Sequence, residues 1–134
     1  MKDLFCVEFD FLGIPVKIFV CNWTDRDEVY KRFETYPNKG SAMFGVSNDE
    51  NGKIISFILY NDNVNTNLYK RIPTYIHELL HATKFYLYYL TSIKDDEELE
   101  CYFMGHLVQM YTDLLNQYEK NTTYEKNTIS DFRM

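Results

Sequence analysis

Along the first sixty residues, apolar and β-branched side chains recur in short blocks separated by turn-forming residues. Residues 4–11 (LFCVEFDF) and 16–20 (VKIFV) are two such blocks, and Gly13 and Pro15 between them predict two strands joined by a turn. Thr24, followed by Asp25, Asp27 and Glu28, supplies a capping hydroxyl and an acidic first turn. Val29, Tyr30 and Phe33 continue as an apolar stripe, which predicts a helix that stops before Pro37. Residues 42–46 and 54–60 flank NDENG (48–52), whose Asn-Gly pair tolerates positive φ, so a β-hairpin is expected there. The polar stretch 61–67 reads as a surface loop.

The period of the pattern then changes. Pro73 suits the first turn of a helix, where its missing N–H costs nothing, and Ile76, Leu79, Leu80, Thr83, Leu87 and Leu90 follow at helical spacing. A break at 92–95 precedes a second helix over about 96–118, with acids in its first turn and apolar Leu99, Phe103, Leu107, Met110 and Leu114. These two helices should pack as a hairpin. Residues 119–134 hold most of a short repeat, YEKNTT then YEKNTI, which is too polar to bury, so fraying or disorder is expected in that tail. The folded unit is expected to be a single domain over residues 1–118.

Composition narrows the functional classes. A chain of 134 residues with 46% hydrophobic and 25% charged residues can bury a real core and is far from a disordered composition. Its net charge of −6 repels a phosphate backbone, so nucleic acid is not an expected partner. Cys6, Cys21 and Cys101 form no CxxC pair, which fits a reducing compartment. The apolar N-terminal stretch is interrupted by Asp3, Glu8 and Asp10 and lacks the continuous core of a signal peptide. No run approaches the roughly 18 apolar residues of a membrane helix. A cytoplasmic protein without a membrane partner is expected.

The chemistry is concentrated in His77-Glu78-Leu79-Leu80-His81, an HExxH pattern inside the first C-terminal helix. A spacing of four puts both imidazoles on one face within a turn, in reach of one metal ion. Zn²⁺ takes imidazole nitrogen readily, and a catalytic site needs three protein ligands plus an open position for water. Glu78 would stand beside that water as a general base. With three His and ten Glu in the chain, shuffling would produce this pattern in only about 0.3% of sequences. A metzincin is excluded by identity, because position 87 is Leu and position 84 is Lys. A third ligand must come from elsewhere, and the start of the next helix offers Asp95, Asp96, Glu97, Glu98 and Glu100.

The chain here resembles the gluzincin metallopeptidases, the thermolysin-like zinc group with a His, His, Glu ligand set. Many of these supply the third ligand as the first residue of a Glu-x-x-Ala-Asp type motif. Glu98-Leu99-Glu100-Cys101-Tyr102 is similar to it, with Cys101 in the Ala place and Tyr102 in the Asp place. More closely, IHELLHATKFYLYYL followed by EELECYFMGHL resembles small phage-encoded or mobile-element metallopeptidases of the minimal gluzincin type, which carry HExxHA, then Glu-x-x-Ala-Tyr and a Gly three residues on, here Gly105. The resemblance spans residues 72–115. It implies Zn²⁺ held by His77, His81 and Glu98, with Glu97 and Glu100 as fallback ligands, and Glu78 as the base. It also implies that the strand over 54–60 forms the edge of the substrate cleft.

A glycine inside a helix costs about 1 kcal/mol against alanine, and Gly105, seven residues after Glu98, shares its face; a close approach to the HExxH helix would explain it. Tyr88, on the face of His81, is the candidate to stabilise an oxyanion. His106 lies off that face and is left out of the site.

The expected architecture is therefore α+β: a small, mostly antiparallel sheet of about four strands, one N-terminal helix, and a C-terminal zincin-like helical pair. The expected activity is zinc-dependent peptide hydrolysis on a peptide or protein substrate, in the host cytoplasm if the chain is phage-encoded. The alternative is a non-catalytic, metal-stabilised binding or structural protein, such as a phage particle component or an anti-defence factor.

Overall fold

A computed structural model describes residues 1–89 and 96–132 of the chain. The first two strands, β1 (Lys2–Phe11) and β2 (Ile14–Trp23), are longer than the apolar blocks alone and pair antiparallel, with Phe11 opposite Ile14. Only Leu12 and Gly13 lie between them, both at positive φ (51° and 84°), the backbone of a two-residue hairpin whose twist matches its strands. Next comes α1 (Arg26–Phe33). Its cap is Asp25 rather than Thr24, the Asp25 carboxylate accepting from the Asp27 N–H at 2.9 Å, and the helix ends at Glu34 in the left-handed region.

The hairpin β3 (Ala42–Asn48) and β4 (Ile54–Asn61) follows. The Asp49 carboxylate accepts the N–H groups of Asn51 and Lys53 at 2.9 Å each and closes the loop, with Gly52 at φ 77°. The strand order is β1-β2-β4-β3, and β4 runs parallel to β2. The sheet is thus mostly but not purely antiparallel: two of its three pairings are antiparallel, and the crossover through α1 adds the parallel one by bringing the second hairpin back alongside β2 with β4 innermost. Composition accounts for that choice. From Ser56 to the end of β4 every residue is buried, as expected for a strand covered on both faces, whereas no residue of β3 is fully buried and Val46 and Asn48 are exposed.

One face of the sheet is covered by α1, through Val29 and Phe33 against Cys21, Trp23, Phe57 and Leu59. Phe33 and Phe57 stack at 4.2 Å between centroids. Gly45 leaves room for the Phe57 ring, which a Cβ at that position would overlap. The other face carries α2 (Ile72–Lys84), with Pro73 in its first turn, and α3 (Glu97–Phe132). Here Val7, Val16, Ile18, Val20, Ile58 and Tyr60 meet Leu79, Ala82, Phe103, Leu107 and Tyr111.

Two expectations change in this half. Beyond Lys84 the chain winds as a π-helical turn, Phe85–Tyr89, rather than as continued α-helix. The buried stripe of α3 runs through Phe103, Leu107, Tyr111 and Leu115, with Leu99, Met110 and Leu114 only half-buried. The helix α3 continues through the repeat to Phe132, as residues free of Gly and Pro allow once a nucleus is buried upstream. Glu119, at its start, is tied by an ion pair to Lys70 at 3.0 Å. The expected break at 92–95, Leu90 and the candidate ligand Asp95 lie outside the described residues. Among the described residues no helix is long and apolar enough to cross a membrane.

Candidate functional site

The HExxH residues occupy the middle of α2, whose buried side is formed by Tyr75, Leu79, Ala82 and Thr83. Its opposite side turns His77 and His81 outward, and their Nε2 atoms converge to 3.1 Å with ring centroids 4.8 Å apart. Two nitrogens each about 2.05 Å from one tetrahedral ion stand about 3.3 Å apart. The pair therefore already has the spacing of two ligands on one cation. Without a cation the same contact is a hydrogen bond between unlike tautomers.

Glu78, about 100° further round the helix, points beneath the sheet edge and is only 5% exposed. Burial pushes its carboxyl above the ordinary carboxylate value, while the two imidazoles and a hydrogen bond from the Phe44 backbone N–H pull the other way. The phase of β3 is set by its pairing with β4. Since the Ser41 carbonyl accepts from the Asn61 N–H of β4 at 2.9 Å, odd positions face β4 and the main-chain groups of Ala42, Phe44 and Val46 face outward. The free edge at the cleft is thus β3. The strand over 54–60, expected to form it, is interior, paired with β2 on one side and β3 on the other.

His77, Glu78 and His81 open into a cavity of about 530 Å³ walled also by Asn38, Ala42, Phe44, Lys84, Phe85 and Tyr89. A larger cleft, about 830 Å³, lies between the two hairpin ends around Glu8, Asp10, Lys17, Asp49 and Lys53 and contains no histidine. The smaller cavity is the one with chemistry. Among the described residues its one ammonium is Lys84, whose Nζ donates to Glu100 Oε1 at 3.0 Å; the Tyr88 hydroxyl donates to the other oxygen at 2.8 Å. These two bonds hold the Glu100 carboxyl below its ordinary value. Tyr88, the expected oxyanion partner, is thereby engaged with Glu100.

The structure brings His77, Glu78 and His81 together and leaves Glu98 apart from them. Tyr75 stacks on Tyr111 at 4.5 Å, Thr83 Oγ1 lies 3.2 Å from Met104 Sδ, and Lys84 meets Glu100. The two helices therefore run antiparallel, and Glu98 falls level with the π turn, beyond Lys84. Nine residues separate Glu98 from fully buried Leu107, about half a revolution, and Glu98 is exposed. Gly105, on the same outer face, has nothing within 4 Å of a Cβ built on it. The close approach expected at that glycine does not occur, because the face of α3 toward α2 is that of Glu100, Phe103 and Leu107. Among the described residues, no three His, Cys, Asp or Glu side chains are grouped to hold a metal ion. His106 packs edge-on to Phe9 at 4.6 Å, away from the cleft.

Sequence reasoning missed Phe44 and Phe85 as part of the site and, among Tyr75, Tyr86, Tyr88 and Tyr89 around the motif, preferred Tyr88. For Phe85 and Tyr89 a signal existed, since positions 77, 81, 85 and 89 are spaced by four along one side of the helix. No protein-family model matches the chain, and neither a curated protein nor a solved structure matches it.

Proposed function

We propose that this protein is a zinc-dependent metallopeptidase in which His77 and His81 grip the cation and Glu78 is the general base. The observation that carries the reading is the 3.1 Å convergence of the two Nε2 atoms beside a buried carboxyl, in a cleft bounded by an open strand edge. A divalent cation held there supplies a water with its pKa lowered toward about 7 and polarises a substrate carbonyl.

The remaining work belongs to the chain. An extended peptide adds to the outer edge of β3 through main-chain hydrogen bonds to Ala42 and Val46. The Phe44 N–H and the burial of Glu78 hold its carboxylate in one orientation beside the imidazoles. Glu78 accepts a proton from the attacking water and returns it to the leaving amine. Its raised affinity for a proton suits that exchange better than a solvated carboxylate would. The third ligand in this proposal is an acid from the first turn of α3. Glu98 is the residue the motif nominates, and Glu100 is the one that packing brings against α2.

The test is elemental analysis together with peptide hydrolysis. The purified chain should carry about one zinc, lost in His77→Ala and His81→Ala. Glu78→Gln should keep the metal and lose hydrolysis by about 10²–10⁴-fold, the usual worth of a general base. Alanine at Glu97, Glu98 and Glu100 in turn identifies the third ligand by which one weakens zinc retention. Stoichiometric zinc without hydrolysis of any peptide would leave a metal-stabilised binding protein instead, and full activity in Glu78→Gln would remove Glu78 from the mechanism.

A further inference from the structure

β1 is the outermost strand of the sheet on the side away from β3 and the metal cleft. Which of its main-chain groups are free follows from its neighbour. The N–H and carbonyl of Lys17 in β2 bond to the hydroxyls of Tyr86 and Ser56, on the side of β4. Odd positions of β2 therefore face β4, and Val16, Ile18 and Val20 face β1, where their partners are Phe9, Val7 and Phe5. Cys6, Glu8 and Asp10 then turn their N–H and C=O groups outward. Among the described residues no strand pairs with that edge.

The two faces of this edge differ. Phe5, Phe9 and Phe11 turn toward α3, with Phe5 5.0 Å from Tyr111, Phe9 4.6 Å from His106 and Phe11 5.0 Å from Phe103, yet all three rings are only half-buried. Tyr102, His106 and Met110 are spaced by four and share one line of α3. Since His106 meets Phe9, that line stands over the rim of β1, with Tyr102 69% exposed and Met110 half-buried. On the opposite face of the edge Glu8 and Asp10 are exposed, in a chain of net charge −6. Acids on such an edge repel a like-charged strand and admit an oppositely charged one.

We propose that the β1 edge is a docking site for an extended segment of a partner protein in which apolar and basic residues alternate. The segment lies antiparallel to β1 and exchanges main-chain hydrogen bonds with Cys6, Glu8 and Asp10. Residues opposite Glu8 and Asp10 project onto the acidic face, where lysine or arginine pairs with them. The intervening residues lie under Tyr102 and Met110 beside the phenylalanine rings, where a valine or leucine is covered. A second copy of this chain fits badly. Because α3 packs directly over β1, joining two copies edge to edge would set the two α3 rods about 5 Å apart, the strand spacing, where packed helices need about 8–10 Å. The site is remote from the imidazoles and does not depend on the peptidase reading.

The experiment follows fluorescence anisotropy of short labelled peptides with the full chain. One peptide alternates valine with lysine and one valine with glutamate; two more are the valine–lysine peptide N-methylated at its lysines or at its valines. The valine–lysine peptide should bind about tenfold or more tighter than the glutamate one, from two attractive against two repulsive cross-strand pairs. N-methylation at the lysines, whose N–H groups face β1 in the antiparallel pairing, should abolish binding, and at the valines should change it by a few-fold at most. Glu8→Lys combined with Asp10→Lys should reverse the charge preference, and Tyr102→Ser should weaken binding several-fold; all three side chains are exposed and lie outside the core. Equal effects of the two methylation patterns overturn strand addition. An unchanged charge preference in the double variant overturns the β1 site. Dimers of the wild type that disappear in the double variant would give the edge to a second copy and overturn the partner segment.

Discussion

Leu12 stands at φ 51° in the β1–β2 turn with its side chain 77% exposed. A non-glycine residue in the left-handed region costs about 1–2 kcal/mol, and only Asn, Asp and Gly visit it routinely. Gly13 already fits the second place of such a turn. Leu12→Asn, giving the favoured Asn-Gly pair, should therefore stabilise the fold by about 1 kcal/mol, read as a higher urea midpoint with an unchanged slope. At the same scale the site was legible wherever a side-chain identity carried the chemistry. HExxH located the two imidazoles and the acid beside them, and the structure gathers these three. Phe44 escaped because its contribution is a backbone N–H, which every residue but proline owns, and the strand phase that aims it at Glu78 is set by pairing with β4.

Between elements, what the sequence hid was relative rotation. Apolar positions at Leu99, Phe103, Leu107, Met110 and Leu114 define a stripe two residues wide, and tertiary packing centred it on Phe103, Leu107, Tyr111 and Leu115. That small turn of the rod decides which acid faces α2. Glu100 is drawn to Lys84 and Tyr88, and Glu98 is left outside with Gly105. Two opposite outcomes follow for Gly105→Ala. If the glycine permitted close helix packing, a methyl group there would destabilise the fold. With open space around it, alanine should instead stabilise by about 0.5–1 kcal/mol through helix propensity alone, raising the thermal midpoint by a few degrees. The position of β4, by contrast, was open to reading. Its run ISFILY lacks the alternation of a strand with one wet face, and that is the composition of an interior strand. The zincin-like resemblance puts that strand at the rim of the cleft, whereas its pairing with both β2 and β3 puts it inside the sheet.

Across the whole molecule, the sheet separates a small core under α1 from a large one under α2 and α3, and the large core is closed by a chain of hydroxyls. Tyr60 and Tyr111 are buried with their oxygens 2.8 Å apart, and the Tyr111 hydroxyl donates to the Tyr69 carbonyl at 2.8 Å. Each proton has a protein acceptor and neither phenol meets water, so burial raises both above the ordinary tyrosine value of 10.0. Cys21, on the other face, is pushed up from 9.0 to about 12, chiefly by burial. The sign follows from linkage. A group whose proton is held more tightly in the folded state contributes its full stability below its unfolded pKa and loses it as pH rises toward the folded value. Stability should then be flat up to about pH 9 and fall above it, first through Cys21 and beyond pH 10 through the tyrosines. Each phenol that stays protonated removes about 1.4 kcal/mol per pH unit. Urea unfolding at pH 8, 9.5, 10.5 and 11 measures this slope. Tyr60→Phe should flatten it above pH 10 by about one phenol's share, while lowering stability at pH 8 by about 1 kcal/mol for the lost hydrogen bond. A slope indifferent to that substitution would mean that Tyr60 ionises in the folded protein as readily as in the unfolded chain, and that the hydroxyl chain between α3 and the sheet is open to solvent.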